Sequence, residues 1–493
     1  MSSSQPIINS QSPSPQSDLP PPTLGAYSAT TIVVGAVIGS GIFVSSSGMA
    51  RNSLDGATLL GIWAIAGFFT LIGALTQCEL CSQFPRTGGL YLYIREVFGD
   101  CAGFFYGWSN LIIVGSGTSA ALSFIFSSYL GEFFSLPGFS PELAAYAIHI
   151  PWLGNLYPFA NGGEKAVGAV LIVFLTWVNA RGIRFGAGLQ SVSTTLKVLA
   201  LIAIIGFGLT WSGGDWGNLT APRVNPLHTS NWQALGLCVT ALGGAFWAYD
   251  GWGNLTFIAG EVKRPAKTIP LALLTGTLII TTVYLLVNVA YLRVLSLEGL
   301  GSVAGDRAAS ALMHAVVGPV GAQAVALLIL LSTFDTINTG IITNPRASFA
   351  MALDGLMPPA VGRLHPTYKT PTLALWMQGL WALVLLFTGS FDLVVSMYVW
   401  VSWFFYFLMG LAVFICRKRK YPRTFTIIGY PYLPLIFTAF TLFYLVATLV
   451  EDIWAYQAGT APVINSLMGV LLVLSGFPLY WWLARQKKAQ AVR

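Results

Sequence analysis

The sequence predicts an all-α integral membrane protein with twelve transmembrane helices, two of which are interrupted near the middle of the membrane. Three observations support this prediction: 55% of the 493 residues are hydrophobic, only 9% are charged, and the hydrophobic residues form long runs. Soluble domains carry about 25% charged residues, so this chain cannot cover a water-facing surface with charge. A soluble globular enzyme and a largely disordered chain are therefore both excluded.

The predicted helices follow from the lengths of the apolar runs. A membrane-spanning helix needs about 20 mostly apolar residues to cross a hydrocarbon core of roughly 30 Å. The run at 166–180 is short for this purpose, and the run at 316–350 is long enough to tilt. The twelve runs cover residues 26–48, 57–83, 102–130, 166–180, 188–211, 232–259, 269–292, 316–350, 371–389, 392–416, 430–450 and 463–484.

The Lys and Arg residues between the runs predict the orientation of the bundle. With the N-terminus in the cytosol, 19 of the 25 Lys and Arg fall on the cytosolic side and five on the outer side. Positively charged loops stay in the cytosol, so we expect both termini to be cytoplasmic. Residues 1–24 are rich in Ser, Pro and Gln without Lys or Arg, which favours a disordered cytosolic tail over a secretory signal. Residues 485–493 form a second tail.

The first helix is predicted to break at Gly39-Ser40-Gly41, near the middle of its run. Glycine has no Cβ and a high entropic cost in a helix. A simpler reading exists, because Gly35 and Gly39 also form the G-x-x-x-G spacing of closely packed membrane helices. The sixth helix offers the second observation that favours a functional site.

Helix 6 is predicted to be interrupted at residues 246–254, where Asp250, Gly251 and Gly253 lie within an apolar run. Backbone groups released from helical pairing cannot face lipid and must line a cavity or be buried in protein. Interrupted helices at corresponding places in two halves indicate a secondary transporter with inverted repeats. The repeats would be helices 1–5 (25–211) and helices 6–10 (232–416), with helices 11 and 12 (430–484) added. This symmetry rests on topology alone.

The exposed groups of the two breaks predict the ligand. The N-terminus of a half-helix offers unpaired N–H groups, which suit a carboxylate, and a C-terminus offers carbonyls, which suit an ammonium group. A small molecule that carries both groups is an amino acid. The N–H groups and hydroxyl of Ser40 and Gly41 would bind its carboxylate. Its ammonium group would meet the carbonyls of Val37, Trp247, Ala248 and Asp250.

Several further motifs accompany the two breaks in a fixed order: 39–43, 78–80, 85–91, 95–99, 248–252, 261–265, 354–358 and 365–366. In this order they resemble the amino acid–polyamine–organocation superfamily, and within it the L-type amino acid transporter light subunits and their bacterial relatives. The similarity covers roughly residues 25–450. It implies a five-plus-five inverted-repeat fold that works by alternating access, with obligatory exchange as the usual transport mode.

The resemblance also implies which residues bind the substrate. The aromatic residue before the helix 6 break is the family's outer lid, and here it is Trp247, although a packing or lipid-belt tryptophan is the alternative. Gly253 stands where several relatives have a larger polar residue. Tyr398, Trp400 and Ser402 of helix 10 are expected to shape the pocket wall. The substrate-binding residues would be Val37, Ile38, Gly39, Ser40, Gly41, Trp247, Ala248, Asp250 and Gly253.

Lys197 lies well inside the fifth run. A lysine at the centre of the membrane costs about 2.5–3.5 kcal/mol on insertion, which makes it a functional candidate. In sodium-independent members of the family, a helix 5 lysine occupies the place of a sodium ion between helices 1 and 8, and Lys197 matches it. The resemblance thus implies transport without a sodium gradient. The alternative is a lysine that snorkels to the interface.

Three acids within predicted spans leave more than one class of substrate and more than one transport mode possible. Asp250 could meet a cationic side chain, but no other charge is near, so the main prediction is an exchanger of neutral L-amino acids. A cationic amino acid or polyamine transporter is the alternative. Asp335 could be a proton site or pair with Lys197, so proton-coupled symport also stays open. Glu79 is expected to pair with a basic loop residue near the inner end of helix 2.

Other classes of function find little support. Cys78 and Cys81 form a C-x-x-C pair without nearby histidines, and the four histidines are isolated, so no metal, cofactor or enzymatic activity is predicted. A sensor that binds without transport would need signalling domains.

The human-type light subunits join a heavy subunit through a cysteine between helices 3 and 4, and residues 131–165 have none. We expect an amino acid and the bilayer as partners, no nucleic acid, and a plasma-membrane location, the inner membrane in a bacterium.

Overall fold

The structure, a computed structural model, describes residues 24–84, 88–182, 187–223, 230–257 and 262–491. Residues 1–23 of the predicted tail lie outside this part, and so do the motif residues 85–87 and 261. The described residues are mostly helical. Their helices are α1 Ala26–Val37, α2 Gly41–Arg51, α3 Gly56–Gln83, α4 Gly89–Phe98, α5 Asp100–Ser109, α6 Ser116–Leu130, α7 Pro141–Ala144, α8 Gly162–Ala180, α9 Ala187–Thr210, α10 Asn231–Tyr249, α11 Asn254–Phe257, α12 Pro265–Val294, α13 Leu297–Gly301, α14 Ala308–Val317, α15 Pro319–Thr343, α16 Pro345–Leu353, α17 Thr372–Thr388, α18 Phe391–Lys418, α19 Tyr432–Gln457, α20 Asn465–Leu474 and α21 Phe477–Ala491.

Shorter elements complete the described chain. A π-helical turn at Asn110–Gly115 joins α5 to α6, so the third predicted span is continuous. Short 3₁₀ turns occupy Trp216–Leu219, Ala304–Asp306 and Pro359–Gly362. Strands β1 (Ile148–Ile150) and β2 (Gly154–Leu156) pair antiparallel in the loop between α6 and α8, which the sequence did not predict.

The helices confirm an all-α membrane protein but do not confirm the number twelve. In the described residues, eight helices are long and apolar enough to cross a membrane, or nine if the bent pair α1 and α2 is one span. The predicted runs that fall short correspond to α9, α10 and α17. Helix α17 has 17 residues, α10 ends at the predicted break, and only Thr195–Thr210 of α9 counts as an apolar helix.

Helix α12 lies at the centre of the part of the bundle that holds both breaks, packing against α1, α3 and α9. Its Tyr284 ring lies 5.3 Å from the Trp63 ring of α3 and 5.1 Å from the Tyr249 ring of α10. Aromatic pairs at such distances contribute about 0.5–1.5 kcal/mol beyond the burial of their surface. This cluster fixes the end of α10 against the neighbouring helices, directly before the second break.

A buried ion pair fastens the C-terminal end of α3 to α18. The Glu79 side chain is fully buried, and its two carboxylate oxygens accept hydrogen bonds of 2.6 and 2.7 Å from Arg417. The backbone N–H of Ile427 donates to the same carboxylate at 2.9 Å. The Arg417 guanidinium also lies 3.4 Å from the centre of the Tyr430 ring. The predicted pairing of Glu79 with a basic residue is confirmed.

Replacing Arg417 with Gln should destabilise the protein by about 3–5 kcal/mol, because it leaves a buried carboxylate without its counter-charge. Thermal unfolding of the purified protein in detergent measures the effect. The control is Arg307→Gln, which breaks the more exposed pair with Glu132 and should cost about 1 kcal/mol or less. Equal shifts for the two variants would contradict the structural role given to Arg417.

Charged residues also join elements at the two ends of the bundle. On the side predicted to face out, Arg51 of α2 pairs with Asp306. The next residue, Arg307, lies 3.3 Å from Glu132 and donates to the Ser128 carbonyl at 2.8 Å. On the side predicted to be cytosolic, Arg95 of α4 pairs with both Asp100 and Asp354. Ion pairs between separate elements are thus found at both ends of the bundle.

Candidate substrate site

The first break lies where the sequence predicts it. Helix α1 ends at Val37, helix α2 begins at Gly41, and the two are bent by 47°. Ile38, Gly39 and Ser40 form the non-helical segment between them. Because a helix end leaves its last carbonyls and first N–H groups without intrahelical partners, the segment exposes both kinds of group at one place.

The second break also matches its prediction. Helix α10 ends at Tyr249 and helix α11 begins at Asn254. Asp250 is extended, with φ −67° and ψ 157°, and Gly251 has φ +107°. A positive φ of this size is accessible to glycine and rarely to other residues, so Gly251 lets the chain turn sharply out of α10.

The two breaks are in direct contact with each other. A Cβ atom on Gly41 would lie 2.9 Å from the Cα atom of Ala248 and 3.3 Å from the Trp247 ring. A Cβ atom on Gly251 would lie 2.7 Å from the backbone oxygen of Ala36. Both distances are too short for a carbon side chain against backbone atoms. Glycine at these two positions therefore brings the unwound segments together.

Tyr284 of α12 joins the two breaks through its hydroxyl group. The hydroxyl oxygen lies 3.0 Å from the carbonyl oxygen of Val37 and 3.0 Å from that of Ala248. Since a hydroxyl carries one hydrogen, it donates to one carbonyl at a time, and each carbonyl keeps an open lone pair. Two of the four carbonyls that the sequence predicts for an ammonium group, those of Val37 and Ala248, thus lie within reach of one common atom.

Ser40 and the start of α2 supply hydrogen-bond donors, which are opposite in polarity to the carbonyls. The Ser40 side chain is 1% exposed, and its hydroxyl has no hydrogen-bond partner among the described residues. The backbone N–H of Phe43 donates to the Ser40 carbonyl at 3.1 Å, so the helical bonding of α2 starts there. A buried hydroxyl without a partner costs about 1–3 kcal/mol, and a carboxylate ligand would satisfy it.

Trp247 packs beside the breaks against helix α18. Its ring centre lies 4.8 Å from that of Tyr398 in an edge-on arrangement and 6.5 Å from that of Phe391. The side chain is buried. Trp247 therefore faces protein and does not belong to a lipid-facing aromatic belt.

The Asp250 carboxylate is bound by two tyrosines of α18. Tyr406 donates its hydroxyl to Oδ1 at 2.9 Å, and Tyr398 donates to Oδ2. Tyr398, expected in the pocket wall, is thus in contact with both Trp247 and Asp250. Hydrogen bonds to an ionised acceptor contribute about 1.5–3 kcal/mol each. The carboxylate is directed towards α18 by both of its oxygens.

Gly253 faces helix α3. A Cβ atom on Gly253 would lie 3.0 Å from Oε1 of Gln77. The Gln77 amide nitrogen donates to the Thr256 hydroxyl at 2.9 Å, while Oε1 is buried without a partner among the described residues. A larger residue at position 253 would meet this amide, so Gly253 contributes space beside Gln77.

Lys197 of α9 is buried against helix α15. Its side chain is 6% exposed, and Nζ donates to the Thr336 hydroxyl at 3.0 Å. Asp335, also 6% exposed, is close enough to interact with the ammonium electrostatically. This burial contradicts a lysine that snorkels to the interface. The ammonium thus has its hydrogen bond to α15, which is the eighth predicted span. Among the described residues, no hydrogen bond links it to a carbonyl of α1.

Replacing Lys197 with Met should lower transport by about tenfold or more while expression is retained, because the Thr336 hydroxyl and Asp335 lose a buried cationic partner. Initial uptake rates in proteoliposomes measure the change. Lys267→Met, which alters an exposed lysine at the start of α12, is the control and should behave as the wild type. Normal transport by Lys197→Met would reduce Lys197 to a packing residue.

The sequence missed two of the residues that shape this site. Tyr284 and Tyr406 lie in long apolar helices, where nothing in the spacing distinguishes them from packing residues. The available signal was chemical, since a buried tyrosine hydroxyl usually finds a hydrogen-bond partner. In the described part of the chain, no group of three or more His, Cys, Asp or Glu could hold a metal ion.

Comparisons with known proteins identify the family of the chain. A family model described as "Amino acid permease" matches residues 24–477. The serine/threonine exchanger SteT of Bacillus subtilis is 31% identical over 468 residues, which are 94% of this chain and 97% of the relative. The human large neutral amino acids transporter small subunit 2 is 29% identical, over 93% of this chain and 79% of the relative. The human cystine/glutamate transporter is 28% identical, over 92% and 83%.

Proposed function

The chain belongs to the amino acid permease family, and we propose that it is a sodium-independent exchanger of neutral L-amino acids. The observation that carries the proposal is the contact between the two broken helices. Gly41, the first residue of α2, contacts Ala248, whose carbonyl shares the Tyr284 hydroxyl with that of Val37. The neighbouring Ser40 hydroxyl has no partner among the described residues. A zwitterion matches these groups, with its carboxylate at α2 and its ammonium at the carbonyls.

The preference for neutral side chains follows from the environment of Asp250. Both oxygens of its carboxylate accept tyrosine hydroxyls from α18. A cationic side chain would have to reach a carboxylate that these two hydrogen bonds hold against α18. A polyamine would in addition leave the Ser40 hydroxyl and the first N–H groups of α2 without a carboxylate.

Sodium independence is attributed to Lys197. Its ammonium is a fixed positive charge beside Thr336 and Asp335 on α15, which suits the place that a bound sodium ion would take between helices 1 and 8. Transport would then proceed by alternating access, with exchange of one amino acid for another. Residues 25–211 and 232–416 would be the two inverted repeats, and residues 430–484 the additional helices.

The proposal extends to location and partners. The apolar helices and the family make the chain a multi-pass membrane protein. We place it in the plasma membrane, or the inner membrane of a bacterium, with both termini cytoplasmic. It would act without a disulfide-linked heavy subunit, because residues 131–165 carry no cysteine.

Replacing Trp247 with Ala should slow exchange by about tenfold or more, because the lid loses its contacts with Phe391 and Tyr398 and no longer seals the site. The initial exchange rate in proteoliposomes measures this effect. The control is Trp481→Ala, which removes a half-exposed ring of α21 and should leave the rate unchanged. A fully active Trp247→Ala variant would remove the lid role.

Exchange in proteoliposomes tests the function directly. Vesicles loaded with unlabelled alanine, serine or leucine should take up the labelled amino acid at the same rate with and without sodium. Vesicles without internal amino acid should take up little. Strong uptake into empty vesicles, driven by a proton or sodium gradient, would contradict exchange.

A further inference from the structure

The buried carboxylate of Asp250 poses a problem for a site that binds neutral amino acids. An acid within a membrane-spanning region is expensive and is usually paired with another group. Here the partners are neutral hydroxyls, from Tyr398 and Tyr406 of α18. Asp250 thus places an acidic side chain at the break, and each of its two oxygens already accepts one hydrogen bond.

The two tyrosines hold the carboxylate from opposite directions along α18. They are eight residues apart, which corresponds to about 12 Å along a helix axis. Their hydroxyls nevertheless meet on one side chain, at Oδ1 and Oδ2. Asp250 therefore lies between two turns of α18, and its carboxylate is restrained at both oxygens.

We propose that Tyr398 and Tyr406 determine selectivity against cationic amino acids by keeping the Asp250 carboxylate away from the substrate side chain. The inference rests on the proposed function, because it requires the substrate to lie beside the helix 6 break. With one tyrosine hydroxyl removed, the carboxylate is restrained at only one oxygen and can turn towards a lysine or arginine side chain. Selectivity would then depend on α18 as well as on the acid itself.

Tyr406 offers the cleaner test of the two tyrosines. Tyr398 also supports the ring of Trp247, so changing it would disturb the lid. The Tyr406 ring lies 5.1 Å from that of Trp252 and 6.0 Å from that of Trp403. Phenylalanine would keep these ring contacts and remove only the hydroxyl that donates to Asp250.

The experiment measures how well lysine and norleucine compete with labelled alanine for exchange in proteoliposomes. Norleucine has the length of lysine without its charge, so it reports any gain in space. In Tyr406→Phe, lysine should compete about tenfold or more better relative to norleucine, since a hydrogen bond to a charged group contributes about 1.5–3 kcal/mol. The double variant Tyr406→Phe with Asp250→Asn should lose this gain.

A matched control is Tyr444→Phe. Tyr444 is buried and packs against Phe246 and Trp403, and its hydroxyl has no hydrogen bond to Asp250 among the described contacts. This variant should keep the wild-type ratio of lysine to norleucine competition. A similar gain in both tyrosine variants would overturn the proposal, because it would reflect general loosening of the aromatic region.

Two further outcomes decide the matter. If Tyr406→Phe elutes as a folded protein and discriminates against lysine as the wild type does, the proposal is wrong. If the variant does not fold, thermal stabilisation of the wild type by lysine and by norleucine gives the answer. Comparable stabilisation would overturn the proposal, and selective stabilisation by norleucine would support it. Failure of the wild type to exchange alanine at all would instead contradict the proposed function.

Discussion

Replacing Gly251 with Ala should abolish exchange. The residue has φ +107°, and an added Cβ atom would lie 2.7 Å from the carbonyl oxygen of Ala36. Backbone strain in such a region costs about 1–3 kcal/mol, and the contact would push the two unwound segments apart. Because the groups proposed to bind the substrate come from both segments, we expect exchange below detection in proteoliposomes.

Gly61→Ala is the matched control for this change. A Cβ atom on Gly61, in α3, would meet nothing within 4 Å, and alanine favours helix by about 1 kcal/mol over glycine. This control should exchange at the wild-type rate and unfold at the same temperature or higher. Both proteins should first be compared by gel filtration, because only a folded Gly251→Ala variant reports on the site. Normal exchange by that folded variant would show that the contact with Ala36 is not needed.

Replacing Tyr284 with Phe should lower the exchange rate by about tenfold to a hundredfold. The hydroxyl lies within hydrogen-bond distance of the carbonyls of both Val37 and Ala248. Its loss leaves buried carbonyls with one donor fewer, at a cost of about 1–3 kcal/mol. Initial exchange rates at several substrate concentrations measure the effect. We expect the KM for the amino acid to rise as well, because the carbonyls lose their common support.

Tyr249→Phe is the control for the second prediction. Tyr249 belongs to the same aromatic cluster, but its hydroxyl donates to the Trp63 carbonyl of α3 at 3.2 Å and not to a carbonyl of either break. It should lose some stability and keep the KM of the wild type. If both phenylalanine variants raise KM equally, the hydroxyl of Tyr284 has no special role in binding.

The two breaks could be predicted because their signal is local. Glycines and an ionisable residue within an apolar run are unfavourable for a membrane helix wherever the rest of the chain lies. Gly39, Ser40 and Gly41 were therefore recognisable before any fold was known, and so were Asp250 and Gly251. The structure adds that these segments touch, which depends on how the helices pack and is not written in either segment alone.

The partners of the polar side chains could not be predicted from the sequence. Glu79 was expected to pair with a basic residue, and Lys197 to be buried, because an unpaired charge is costly in lipid. The sequence did not identify Arg417 or Thr336 as the partners, since helices far apart in the chain supply them. Tyr284 was missed for the same reason.

The loop at Asp306 and Arg307 has a mechanical consequence. Asp306 holds Arg51 at the end of α2, while Arg307 holds Glu132 and the Ser128 carbonyl near the end of α6. Consecutive Cα atoms are about 3.8 Å apart, so one peptide unit connects the two attachments. A displacement of α2 that keeps its ion pair therefore also pulls on the attachment of Arg307 to the end of α6. On the side predicted to face out, the ends of two helices are thus coupled through a single peptide unit.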